Sequence, residues 1–226
     1  MITYIYNLSK PEQGGVGRYV YELLKRADND LAIKKIDTYA YFGNTYLEKL
    51  IFILLKKKMI LNNNIDRFSK INHFLQVELF YNLIGKNIVT FHNPPPFSTH
   101  NDFLDIYRDF YSMSASILFY RRYMAAIKKA DFIIANSSFT KEGILQHTDS
   151  ANVKIIPFGV DDHFRIIRPF SERNNLLGYI GSFATHKRVD RLLCDFEKTK
   201  EMKKNKLQLW GGKGIHYASL KSKYHG

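Results

Sequence analysis

The chain has 226 residues, 45% hydrophobic and 15% aromatic, enough to build a real core and to exclude global disorder. A formal net charge of +13 calls for an anionic partner, whether nucleotide phosphates, an anionic lipid surface or nucleic acid. The one cysteine, Cys194, excludes an internal disulfide framework and fits a reducing compartment.

No basic n-region with a long apolar stretch follows Met1, so no secretory signal is read there, and no apolar run reaches the roughly 20 residues of a membrane span. Ile2 to Asn7 has the length and composition of a first strand. Gly14-Gly15-Val16-Gly17-Arg18 reads as a glycine-rich turn, and Tyr19 to Arg26 as a helix with Val20, Leu23 and Leu24 inward. Strand, glycine turn and helix N-terminus together make an anion site, because backbone N–H groups converge there. A plain tight turn explains the same glycines, and the spacing fits neither a dinucleotide fingerprint nor a P-loop.

A second strand is expected around Ala32 to Ile36. Leu47 to Ile60 reads as a helix with a wide apolar face beside Lys56, Lys57 and Lys58. Interfacial helices on anionic membranes have this make-up, as do ordinary core helices with a basic end. Phe74 to Val77 is a short apolar stretch, and Asn87 to Phe91 a buried strand that stops at His92-Asn93-Pro94-Pro95-Pro96. The prolines put His92 at a strand's carboxyl end, where ligands of open α/β sheets bind.

Phe103 to Lys129 mixes aromatic and basic residues. The helical spacing of Leu118, Tyr120, Met124 and Ile127 favours packing over stacking on bases. Ala130 to Asn136 is a strand, with Ser137 capping the helix that follows, and Val153 to Ile156 is another short strand. Pro157-Phe158-Gly159-Val160-Asp161 punctuates like a linker. Leu176 to Ile180 then starts a new strand, Arg188 to Phe196 a helix, Lys206 to Trp210 a strand, and Tyr217 to Tyr224 a last amphipathic piece. The alternation predicts a Rossmann-like α/β fold: a mostly parallel sheet with helices on both faces, then a second unit of the same kind. We expect domains at 1–157 and 175–226 joined by a linker at 158–174, with the function in a cleft at the join.

These stretches in order resemble the retaining, nucleotide-sugar-dependent glycosyltransferases of family four, which have the two-domain GT-B fold. Gly14 to Tyr19 looks like that family's first glycine loop, and Phe91-His92-Asn93 like its strand-ending histidine. Ala130-Asp131 with Ala135-Asn136-Ser137 looks like its "AD…ANS" strand, and Ile155 to Asp161 is similar to its "IPNGVD" segment. Gly178 to Ser182, with Lys187 to Leu193, resembles the first βα unit of its donor domain, and Leu209 to Gly212 that domain's second strand.

The resemblance implies sugar transfer from a nucleotide diphosphate to a hydroxyl acceptor, with retention, no metal and no cofactor beyond the UDP- or GDP-linked co-substrate. His92 would be the catalytic residue, beside the transferred sugar. Gly15, Gly17 and Lys187 would hold the donor phosphates, and Arg18 and Asn93 would lie on the acceptor side. At Ser182 the family often carries Arg, so Arg188 or a rearranged loop has to supply that cation. The family also has a pair of Glu residues further into its second domain, whereas no Glu follows Trp210 here. The expected partners are a nucleotide-sugar donor, a glycan or lipid-linked acceptor, an anionic membrane met through Lys56 to Lys58, and a second polypeptide completing the donor domain. The expected location is cytoplasmic, peripheral on the inner face of the membrane. A non-catalytic, truncated membrane-binding homologue is the alternative, and nucleic-acid binding rests on charge alone.

Overall fold

The structure, a computed structural model, describes residues 1–6, 15–28, 30, 32–37, 69–93, 113–149, 152–160, 164–173, 176–183, 187–199, 205–211 and 217–223. The Leu47–Ile60 helix and Lys56, Lys57 and Lys58 lie outside them. The described residues up to Gly159 form one compact unit and those from Val160 onward a second.

The first unit is a six-stranded, wholly parallel sheet. Its strands are β1 (Ile2–Tyr6), β2 (Ile33–Asp37), β3 (Ile71–Phe74), β4 (Lys86–Phe91), β5 (Phe132–Ala135) and β6 (Val153–Ile155), in spatial order β2-β1-β3-β4-β5-β6. The chain leaves β1 toward one edge through β2 and returns toward the other through β3, so the switch point lies between β1 and β3.

Pleating assigns the two faces. Ile5, Phe74, Val89, Phe91, Ile133, Ala135 and Val153 share one face and form the apolar core with Tyr123, Ala126 and Ile127 of helix α2 (Met113–Lys129) and Ile144 of helix α3 (Ser138–Leu145). Tyr123 packs edge-on against Phe91 with ring centroids 5.5 Å apart, and the neighbouring Arg122 guanidinium lies 3.7 Å from the centre of the Tyr81 ring. In this part of the aromatic–basic segment, therefore, the mixture serves packing. The other face carries Tyr4, Lys35, His73 and Thr90 under helix α1 (Gly15–Arg26), with the Lys35 ammonium donating to the Leu24 carbonyl at 3.2 Å.

One expectation is corrected here. The glycine segment is not a loop where the structure describes it: α1 begins at Gly15, so Gly15 and Gly17 stand in its first turn. β3 comes earlier than the Phe74–Val77 stretch, ending at Phe74, and Val77–Leu79 is a 3-10 turn. Asn72 and His73 are buried at the centre of the sheet, because Asn72 donates to the Ile84 carbonyl (2.8 Å) and His73 pairs with Thr90 (2.9 Å).

The second unit pairs β7 (Leu176–Ile180) with β8 (Lys206–Trp210) in parallel. One face packs Tyr179, Leu207 and Leu209 on Phe183, on Val189 and Leu193 of helix α4 (Val189–Lys198), and on Tyr217 and Leu220 of helix α5 (Tyr217–Lys223). Among the described residues nothing covers the other face, with Ile180 85% and Trp210 46% exposed, although parallel strands are ordinarily covered on both sides. Among the described residues no helix is long and apolar enough to cross a membrane.

Candidate functional site

His92 directly follows β4 at its carboxyl end, beside the switch point, and three separate contacts fix it. Its Nε2 lies 2.7 Å from the Leu75 carbonyl at the end of β3. A carbonyl oxygen only accepts, so Nε2 carries the hydrogen, and a neutral ring then keeps its lone pair on Nδ1. That Nδ1 is buried and has no hydrogen-bond partner among the described residues. Burial pushes the imidazole below its ordinary pKa, against the opposing effect of the Leu75 bond, so the neutral form prevails at neutral pH.

The second contact is on the main chain. Asn136, just past β5, donates through Nδ2 to the His92 carbonyl at 2.7 Å. Thr140 and Ser137 both donate to Asn136 Oδ1, at 2.7 and 3.4 Å, which orients the amide so that its NH2 faces His92. Ser137 also caps α3, accepting from the Thr140 amide at 3.2 Å.

The third contact is aromatic. Tyr19 of α1 meets the His92 ring edge-on at 5.0 Å, and Phe158 leans on both rings, 4.7 Å from Tyr19 and 5.4 Å from His92. Phe158 stands where the resembling motif has Asn, so in this chain an aromatic side chain leans on the imidazole. Behind the cluster, Thr90 Oγ1 lies 2.9 Å from His73 Nε2, and Tyr4 meets His73 edge-on at 5.4 Å. Burial, reinforced by His92, lowers the His73 pKa to about 4.

The other predicted positions are less gathered. Gly15 and Gly17 present the first turn of α1, and a Cβ on Gly15 would meet none of the described residues within 4 Å, so packing against them does not require glycine there. Arg18 pairs with Glu22 one turn on, at 2.6 Å. Asn93 is exposed. In the second unit Ser182 and Lys187 are exposed, and the Ser182 carbonyl accepts from the Tyr179 hydroxyl at 2.8 Å. Arg188 caps α4 with φ 50°, a left-handed conformation unusual for a residue with a Cβ, and its guanidinium lies 3.7 Å from Asp190. Among the described residues no three His, Cys, Asp or Glu side chains gather to hold a metal ion.

Sequence reading named His92 but passed over Tyr19, His73, Thr90 and Phe158. The alternation along β3 and β4, which puts His73 and Thr90 on one face, is the signal that joins two of them.

No family model and no curated protein matches the chain. Solved structures do. The apo form of the lipopolysaccharide outer core galactosyltransferase WaaB aligns at TM-score 0.57 and 15% identity, over 98% of this chain and 63% of that one. A mutant of S. aureus TarM, in complex with Fondaparinux, alpha-GlcNAc-glycerol and UDP, aligns at TM-score 0.52 and 16% identity, over 74% of this chain and 33% of that one. The chain thus spans less than two thirds of either neighbour, and at these identities the likeness is one of fold. That fold is the Rossmann-like α/β architecture of GT-B glycosyltransferases.

Proposed function

We propose that the chain is the acceptor-side unit and the start of the donor-side unit of a retaining, metal-independent glycosyltransferase that uses a nucleotide-diphosphate sugar. The observation that carries this is the state of His92: neutral, clamped through Nε2–H, and with a buried Nδ1 lone pair at the carboxyl end of a parallel sheet. Once what covers it is displaced, such a nitrogen accepts a hydrogen bond either from the acceptor hydroxyl, orienting that oxygen for attack at the anomeric carbon, or from a hydroxyl of the transferred sugar, positioning that carbon. As the bond to the diphosphate breaks, the Lys187 ammonium, aided by Arg188, offsets the charge left on the phosphate. We assign Gly15 and Gly17 to close approach of the phosphates, Ser182 to the donor loop, and Arg18 and Asn93 to the acceptor.

The fold shared with a galactosyltransferase supports this reading, and the UDP complex of TarM makes UDP the first nucleotide to test, with GDP the other. The bare face of β7–β8, with Ile180 and Trp210 exposed, supports a further polypeptide that covers it.

Ligand-observed NMR of the purified chain against UDP, GDP, ADP and their sugars tests the reading. Saturation transfer to one nucleotide that falls at least tenfold in Lys187→Ala supports it, since charge-assisted bonds to phosphate are worth about 1.5–3 kcal/mol. Transfer that is undiminished in Lys187→Ala, or absent for every nucleotide, overturns it.

A further inference from the structure

In the second unit, the turn from Phe164 to Arg173 presents its large apolar side chains to the outside. Ile166 is 80% exposed, Ile167 86% and Phe170 86%. Single exposed apolar residues are ordinary, but three within five positions form a patch that requires a partner. Arg165 and Arg168 bracket the two isoleucines, with Arg173 closing the turn and Glu172 the one acidic residue of the stretch.

The turn is built rather than loose. Pro169 leads into a 3-10 turn over Phe170–Glu172, with the Glu172 amide donating to the Pro169 carbonyl at 3.1 Å and the Arg173 amide to the Phe170 carbonyl at 3.2 Å. The Arg173 guanidinium donates twice to the Arg168 carbonyl, at 3.3 Å each, and lies 5.8 Å from the centre of the Phe170 ring. These bonds hold the apex with Phe170 pointing away from the chain, so less conformational freedom is lost on docking.

Charge decides the occupant. Cations interleaved with apolar side chains match the boundary of a bilayer, where lipid phosphates lie directly above acyl chains and arginine stems reach from one to the other. A second copy of this chain, itself at +13, is repelled by the same cations. We propose that Phe164 to Arg173 is an interfacial anchor that inserts Ile166, Ile167 and Phe170 into an anionic bilayer, with Arg165 and Arg168 at the phosphates. The anchor is separate from the Lys56–Lys58 segment and does not depend on the transferase reading.

Flotation of the full chain with phosphatidylcholine vesicles, with and without phosphatidylglycerol, tests it. The wild type should float with the anionic vesicles and be released by high salt. Ile167→Ser/Phe170→Ser should cut the partition at least tenfold with an unchanged circular dichroism spectrum, and Arg165→Glu/Arg168→Glu should remove most of the salt-sensitive part. As an independent readout, an environment-sensitive fluorophore on Ile167→Cys, in a Cys194→Ser background, should shift to the blue on anionic vesicles and be quenched from within the bilayer. No flotation, or flotation unchanged in the serine double variant, overturns the anchor. So does a fluorophore that is shielded only by self-association or by a protein partner.

Discussion

Asn136 holds the main-chain carbonyl of His92 at 2.7 Å, joining the end of β5 to the residue that leaves β4. The side chain of the "ANS" motif therefore acts on the histidine, and its own orientation comes from Thr140 and Ser137. Asn136→Ala leaves that carbonyl without its donor, and we expect a loss of about 1–2 kcal/mol in stability together with a fall in turnover. Asn136→Asp should be worse than Ala, because a carboxylate would then face the carbonyl. Thermal unfolding of the two variants beside the wild type, with a transfer assay, checks the order. If Asp is as good as Asn, the bond is not oriented as described.

How much of this was legible follows from where each signal is local. Strands such as Asn87–Phe91 and Lys206–Trp210 announce themselves as apolar runs between punctuation, and Ser137 declares a cap by its place before a helix. β3 does not: Asn72 and His73 occupy central buried positions and break the apolar pattern, and only partners at Ile84 and Thr90, far along the chain, make them tolerable. The same holds at the site. His92 was readable from the prolines after it, but its tautomer depends on the Leu75 carbonyl and its aromatic cover on Tyr19 and Phe158, distant residues that no local pattern connects. The first-turn placement of Gly15 and Gly17 was hidden for the opposite reason, since glycine is a poor helix former and reads as loop.

His92 can be dissected by two substitutions. His92→Gln places an amide NH2 where Nε2–H stood and keeps a donor for the Leu75 carbonyl, but removes the basic Nδ1. His92→Ala removes both. If the lone pair is what matters, both variants lose transfer by roughly 10²-fold or more while nucleotide affinity stays as in the wild type. Only the alanine variant should also lose stability. Substantial activity in His92→Gln would show that clamping, rather than the Nδ1 lone pair, is the role of this residue.

His73 makes the first unit sensitive to acid. Its folded pKa of about 4 lies below the ordinary value of 6.5, so the unfolded chain takes up its proton first as pH falls. The stability linked to this group is complete above pH 6.5 and is lost progressively toward pH 4, and His92, shifted in the same direction, adds to the loss. At pH 5 the His73 contribution amounts to roughly 2 kcal/mol by the linkage relation. His73→Gln, which can still bond Thr90 but does not titrate, should narrow the gap in urea-unfolding free energy between pH 7 and pH 5 by about that amount. An unchanged gap would mean that the acid sensitivity arises elsewhere.

In the second unit the carboxyl ends of β7 and β8 meet without room for a side chain. The Gly181 amide donates to the Trp210 carbonyl at 2.9 Å, and a Cβ built on Gly211 would overlap the Gly181 carbonyl oxygen. Backbone cannot swing aside as a side chain can, so Gly211→Ala forces the strand ends apart at a cost of about 1–3 kcal/mol. Gly178 offers the contrast: its added methyl would meet Trp210 Cζ3 at 3.0 Å, and a ring on the bare face can tilt away. Gly178→Ala should therefore cost well under half as much. Trp210 is the one tryptophan of the chain, so its fluorescence reports on this unit alone. Denaturant unfolding followed by that signal should show a lower midpoint in Gly211→Ala and a nearly unchanged one in Gly178→Ala. The reverse order would mean that β7 and β8 do not close as described, and with them the loop that carries Ser182, Lys187 and Arg188.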